Sequence, residues 1–91
     1  MNFWPNKDPD EVLDYQVDWS ARLEGVETVL ISTFTTTGSV VIDSAGFTSQ
    51  GIATVWLSGG VAGDMCEVRN HIVTTFGREY DETVRLRIRD K

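Results

Sequence analysis

A nucleophilic site needs a thiol or hydroxyl beside an imidazole, and the chain has one cysteine, Cys66, and one histidine, His71. Both lie in a single alternating run, five residues apart. In an extended strand that spacing sends them to opposite faces, roughly 16 Å apart along the chain. They cannot form a thiolate–imidazole pair, and Cys66 is expected in the core. Asp8, Asp10 and Glu11 could bind a hard cation. Carboxylates on a loop suit Ca²⁺, but EF-hand spacing is missing and no further carboxylate array follows. A solvated acidic lead-in is the expectation. No Cys/His set for zinc exists. The sequence therefore nominates no catalytic residue, no metal ligand and no cofactor.

The remaining chemistry is that of contact surfaces. Three tryptophans are more than a core this small requires. Trp19 is in phase with Tyr15 and Val17 and is predicted to be buried. Trp56 is out of phase with Val55 and Leu57 and is predicted to point outward. Trp4 sits beside Pro5 in the lead-in. An exposed indole marks a protein interface or a sugar platform; alternatively Trp4 folds back over Trp56 and caps the sandwich edge. The candidate interface residues are Trp4, Pro5, Asp8, Pro9, Asp10 and Trp56. Arg85, Arg87 and Arg89 form a row that is expected to pair with Asp14 and Asp18 of the first strand.

These residues must be held by strands. Met65–Phe76 carries Cys66, Val68, Ile72 and Phe76 at even positions, with Asn70 and Thr74 between them. Glu67, Arg69 and His71 take the odd positions. After Gly77-Arg78, Tyr80–Arg89 alternates again, with Val84, Leu86 and Ile88 on one face and Asp81, Arg85, Arg87 and Arg89 on the other. Period-two alternation in two runs joined at a glycine predicts a hairpin, one face on a core and one toward water or a partner. Val12–Ala21 alternates likewise, with Leu13, Tyr15, Val17, Trp19 and Ala21 inward. In Glu27–Thr36 the inward set is read as Leu30, Ser32 and Phe34, although Val29, Leu30 and Ile31 are consecutive. Val40–Asp43 is a short strand, Phe47-Thr48 another candidate, and Ile52–Ser58 has Ala53, Val55 and Leu57 inward. Both prolines, Pro5 and Pro9, fall in the first eleven residues and favour an extended segment. The expected organisation is an extended arm over 1–11 and a domain over 12–91. The expected fold is an all-β, immunoglobulin-like antiparallel β-sandwich of about seven strands.

Composition fits one small domain: 91 residues, 41% hydrophobic. The net charge of −6 resides in the first half, since residues 46–91 balance at six basic and six acidic side chains. An acidic chain with no basic patch there argues against general nucleic-acid binding. One cysteine permits no internal disulfide. No basic n-region with an apolar h-region opens the chain, and no apolar run approaches the ~20 residues of a membrane-spanning helix. Folding in the cytoplasm is the expectation.

The opening Lys7-Asp8-Pro9-Asp10-Glu11-Val12-Leu13-Asp14-Tyr15, followed by Asp18-Trp19-Ser20-Ala21-Arg22-Leu23, resembles that of a family of small tailed-phage and prophage proteins, the phage fibre–tail adaptor proteins. Thr54-Val55-Trp56-Leu57-Ser58-Gly59-Gly60, then Gly63, Val68 and Asn70, resembles the family's middle. Thr74-Thr75, Gly77-Arg78 and Leu86-Arg87-Ile88-Arg89 resemble its close. Cys66, where the family tends to have an aromatic, and Phe34, where it often has tryptophan, depart from the pattern. The resemblance implies an immunoglobulin-like sandwich in a virion, assembled in the host cytoplasm, with no catalytic residues. It implies a non-enzymatic adaptor in several symmetric copies, linking the head–tail connector or tail to fibres or another neck protein. The partners expected are other phage virion proteins, with no nucleic acid and no membrane. Two other classes stay open: a carbohydrate-binding decoration module and a small inhibitor of a host protein.

Overall fold

The computed structural model describes residues 2–91; Met1, the first residue of the expected arm, lies outside them. The strands are β1 (Asn2–Phe3), β2 (Leu13–Asp18), β3 (Val29–Thr37), β4 (Val40–Phe47), β5 (Ile52–Gly59), β6 (Met65–Thr74) and β7 (Glu79–Arg87). A single 3₁₀ turn, Ser20–Arg22, follows β2. The strands form two sheets, ordered β1-β7-β6-β3 and β2-β5-β4, and the core lies between them. The all-β sandwich expected from alternation is the fold observed.

The long hairpin pairs from Met65↔Arg87 to Val73↔Glu79. Gly77, at φ 78°, supplies its turn in a conformation that a Cβ would strain. Cys66, Val68, Asn70, Ile72 and Thr74 face inward from β6, and Val84, Leu86 and Ile88 face inward from β7 and just beyond it. Tyr15, Val17 and Trp19 meet them from the other sheet, with Ala53, Val55 and Leu57. Alternation in these runs survives because each strand has one wet and one dry face.

Five details differ from the sequence reading. Leu30 is exposed rather than inward, because the β3–β6 register shifts between Val29 and Ile31. This bulge buries Val29 and leaves Leu30 and Ile31 outside, while Ser32 and Phe34 keep the inward phase. Ala21 leaves the core face because the chain turns at Ser20, and Phe76 leaves it because β6 has ended at Thr74. Val40–Phe47 is one strand rather than two, with an irregularity between Ile42 and Ser44. The arginine row does not meet Asp14 and Asp18, since β2 and β7 belong to different sheets. Arg85 instead reaches Glu67 across the hairpin at 3.4 Å, and Asp18 accepts the Ser20 N–H.

The strand that does lie beside β7 comes from the lead-in. Asn2 and Phe3 pair parallel to Val84 and Arg85. Beyond β1, the Trp4 and Lys7 N–H groups donate to the Arg85 and Arg87 carbonyls, and the Arg89 N–H donates to the Lys7 carbonyl. Residues 2–7 are thus strapped along the sheet edge.

Candidate functional site

Trp4 turns its ring from the strap toward the gap between the sheets. It is half-buried, packs against both core clusters and stacks on Tyr15 with centroids 4.7 Å apart. Trp4 therefore folds back onto the sandwich, and the aromatic that receives it is Tyr15. Burial pushes the Tyr15 phenol up to about 12, so it stays a neutral donor, and its O–H donates to the Pro5 carbonyl at 3.4 Å.

Lys7 is fully buried. Its ammonium donates to the Gly59 carbonyl at 2.6 Å and the Asp8 carbonyl at 2.9 Å. Burial lowers its pKa, opposed by the nearby Glu11, Asp8, Asp10 and Asp43 carboxylates. A buried ammonium is tolerable only with such partners, so Lys7 pins the strap to the end of β5.

The acidic lead-in is a closed turn. The Asp8 N–H donates to Glu11 Oε1 and the Asp10 N–H to Asp8 Oδ1, each at 2.8 Å. Lys91 closes it from the far end of the chain, its N–H on Asp8 Oδ2 and its ammonium 2.9 Å from Glu11. Backbone donors at Asp10 and Lys91 hold the Asp8 carboxyl below its usual range, and the Asp8 N–H and Lys91 do the same for Glu11. These carboxylates are thus occupied by protein donors. Among the described residues no group of three or more His, Cys, Asp or Glu is arranged to hold a metal ion.

Trp56 is 43% exposed, as its phase predicts, on the outer face of the three-stranded sheet. The register sets Asp14, Trp56 and Ser44 in one row across that face and Gln16, Thr54 and Gly46 in the next. On the β4 side of these rows a shallow groove of about 390 Å³ is bounded by Ser44, Gly46, Phe47, Ile52, Thr54 and Trp56. On the β2 side a cleft of about 610 Å³ is bounded by Trp4, Pro5, Leu13, Asp14, Tyr15 and Lys91. Trp4 and Pro5 thus border the cleft on the β2 side, and Trp56 borders the separate groove on the β4 side. Asp8 and Pro9 are half-buried in the turn behind the cleft, and Asp10 is exposed.

Cys66 and His71 are separated as expected, one fully buried and the other on the outer face of the hairpin. Sequence reasoning missed what His71 joins. Its Nδ1 lies 2.7 Å from Asp81 and its Nε2 2.9 Å from Glu79, while Arg69 reaches Asp81 at 2.9 Å. The Asp81 hydrogen bond, then Glu79, raises the His71 pKa. His71 and Asp81 are register partners, so the cross-strand count from the Gly77 turn was the available signal. This is a surface charge network without a nucleophile.

Residues 7–87 match the family model described as podophage GP4 fiber-tail adaptor protein gp77. The chain belongs to this family. The match starts at the buried Lys7 and ends at the last residue of β7, so it takes in β2 to β7 and leaves out β1. No curated protein matches the chain significantly.

Proposed function

We propose that this chain is a non-enzymatic structural adaptor of a podophage virion, joining the tail or head–tail connector to a fibre or another neck protein. The family match over residues 7–87 carries this reading. The geometry supports it, since Trp4 lines a cleft on the β2 side and Trp56 a groove on the β4 side, both suited to docking. We assign the interface to the strap with its cleft and to the groove beside Trp56, with Trp4, Pro5 and Trp56 as apolar contacts and Asp8, Pro9 and Asp10 at the rim. Apolar centres with polar rims are the usual anatomy of protein interfaces. The strand order supports an immunoglobulin-like classification: β7-β6-β3 facing β2-β5-β4 corresponds to G-F-C facing B-E-D. Several symmetric copies per particle fit a part that repeats around a tail axis.

The test is to purify virions, identify the chain by mass spectrometry, and measure binding of the recombinant protein to the phage's own connector and fibre proteins. Binding to both supports the bridge. Absence from particles overturns it. Glycan binding lost on Trp56→Ala would replace it with a sugar-binding role.

A further inference from the structure

The charges avoid one side of this sandwich. Between Glu27 and Asp64 the chain carries a single charged side chain, Asp43. That stretch builds β3, β4 and β5. It also supplies Leu30, Ile31, Val41, Phe47, Trp56 and Val61, all exposed.

Within it, β4 ends its sheet and so presents one unpaired row of backbone N–H and C=O groups. Sheet edges are ordinarily blunted by charge, proline, a bulge or a covering segment. Two other edges of this molecule follow that rule, since β1 is two residues long and β2 carries Asp14 and Asp18, and β3 follows it at its bulged start. The first half of β4 follows it too, with an irregularity at Asp43, whose carboxylate accepts from the Ser58 hydroxyl at 2.8 Å. The second half, Ser44–Phe47, has none of these devices, and every residue in it is exposed. Ser44, Ala45 and Gly46 leave the backbone uncovered, and the groove beside Thr54 and Trp56 lies next to them.

An edge strand that offers main-chain hydrogen bonds, next to a groove that takes alternate side chains, is the arrangement by which extended peptides add to sheets. Resting on the adaptor reading above, we propose that Ser44–Phe47 is a strand-addition site for an extended, uncharged segment of the partner virion protein. One apolar side chain of that segment fills the groove beside Thr54 and Trp56. Charge selects this occupant: β4 beyond Asp43 and the groove hold no counter-ion, so a charged side chain docked there would be desolvated without a partner. A flexible acidic or basic tail is disfavoured for the same reason.

Gly46 allows a clean test. A Cβ built there meets nothing within 4 Å, and its φ is not in the left-handed region, so a side chain can be added without disturbing the fold. Gly46→Arg and Gly46→Glu should each fold with a melting temperature near wild type. Each should weaken binding of the purified fibre and connector proteins, whichever the wild type captures, by tenfold or more. Hydrogen exchange of the wild-type complex should show new amide protection within 44–47 and none along β2. Opposite effects of the two charges would overturn the uncharged occupant. Unchanged affinity in both variants, or no protection at 44–47, would overturn the site while leaving the adaptor reading in place. A wild-type chain that binds neither protein and is missing from virions would remove both.

Discussion

Trp19 and Trp56 differ by a phase in the strand pattern, and their substitution should separate by several kcal/mol. Trp19 is 3% exposed and packs against Val17, Val29, Ala53 and Ile72. Its ring lies 6.0 Å from that of Tyr80, and its Nε1–H donates to Asn70 Oδ1 at 2.7 Å. Asn70 is itself buried, and its amide donates to the Ser32 hydroxyl and the Thr33 carbonyl. The indole therefore completes a polar bridge between the two sheets. Trp19→Ala removes a core aromatic, a loss of roughly 3–5 kcal/mol. It also orphans a buried acceptor, which costs about 1–3 kcal/mol more. Against a typical stability of about 5–15 kcal/mol, that sum unfolds much of the population or nearly so.

Trp19→Phe isolates the second contribution, since it keeps an aromatic ring and loses the donor. The orphaned Asn70 oxygen then costs about 1–3 kcal/mol. At roughly 4–8 °C per kcal/mol for a domain of this size, the melting temperature should fall by about 5–20 °C. Trp56→Ala, at an exposed position, should stay within about 0.5 kcal/mol of wild type. Thermal and urea unfolding followed by far-ultraviolet circular dichroism measure all three. A Trp19→Phe protein that melts within a degree or two of wild type would refute the Asn70 bridge. A Trp56→Ala protein as unstable as Trp19→Ala would refute the phase assignment of β2 and β5.

Lys7→Ala should release the strap, because two charge-assisted bonds to the Gly59 and Asp8 carbonyls vanish. A loss of about 2–4 kcal/mol is expected, with faster amide exchange at Trp4 and Lys7; unchanged exchange there would show that the edge pairing suffices alone. His71→Gln should destabilise the protein more below pH 6.5 than above it. Its pKa is raised in the folded state from an ordinary 6.5 by Asp81 and Glu79, so protonation stabilises the fold below the unfolded value and that gain is lost as pH rises through the folded one. Asp81, held low by Arg69 and His71, stays ionised at the lower end of this window. Melting temperatures of wild type and variant that differ equally at about pH 5.5 and pH 9 would contradict the network.

The sandwich was legible wherever alternation ran unbroken. β2, β5, β6 and β7 each have one buried face, and period two records it directly. Val29-Leu30-Ile31 defeated the same reasoning because the bulge inserts a residue there, and consecutive apolar side chains cannot report which one turns inward. The strap was invisible for another reason. Asn2 and Phe3 find a partner some eighty residues away, and a two-residue strand is too short to show a period. Lys7 reads as a solvated charge in any local window; only the Gly59 carbonyl, brought close by the sheet, makes its burial possible. Trp56 was read correctly as outward, but the groove beside it depends on Ser44 and Gly46, which register with Trp56 and Thr54 across β4 and β5. Small residues gave no signal until they were neighbours of an indole.

An adaptor has to hold two neighbours without confusing them, and the two long edges of this sandwich differ in the chemistry they present. On one side run the strap and β2, with Asp8, Asp10 and Glu11 in a turn and Asp14 and Asp18 on the strand. On the other run β3 and β4, which meet through the Gly38-Ser39 turn and carry no charge but Asp43. On the proposed reading a partner for the first side meets the exposed Asp10 and Asp14 at its rim and is sensitive to salt. On the same reading a partner for the second brings hydrogen-bonding backbone and no charge, and is nearly indifferent to salt. On the proposed reading this contrast gives specificity by exclusion, since a segment suited to one edge is penalised at the other. It also orders the two contacts by their response to ionic strength. Raising salt should strip the partner from the acidic side first and leave the strand-addition contact in place.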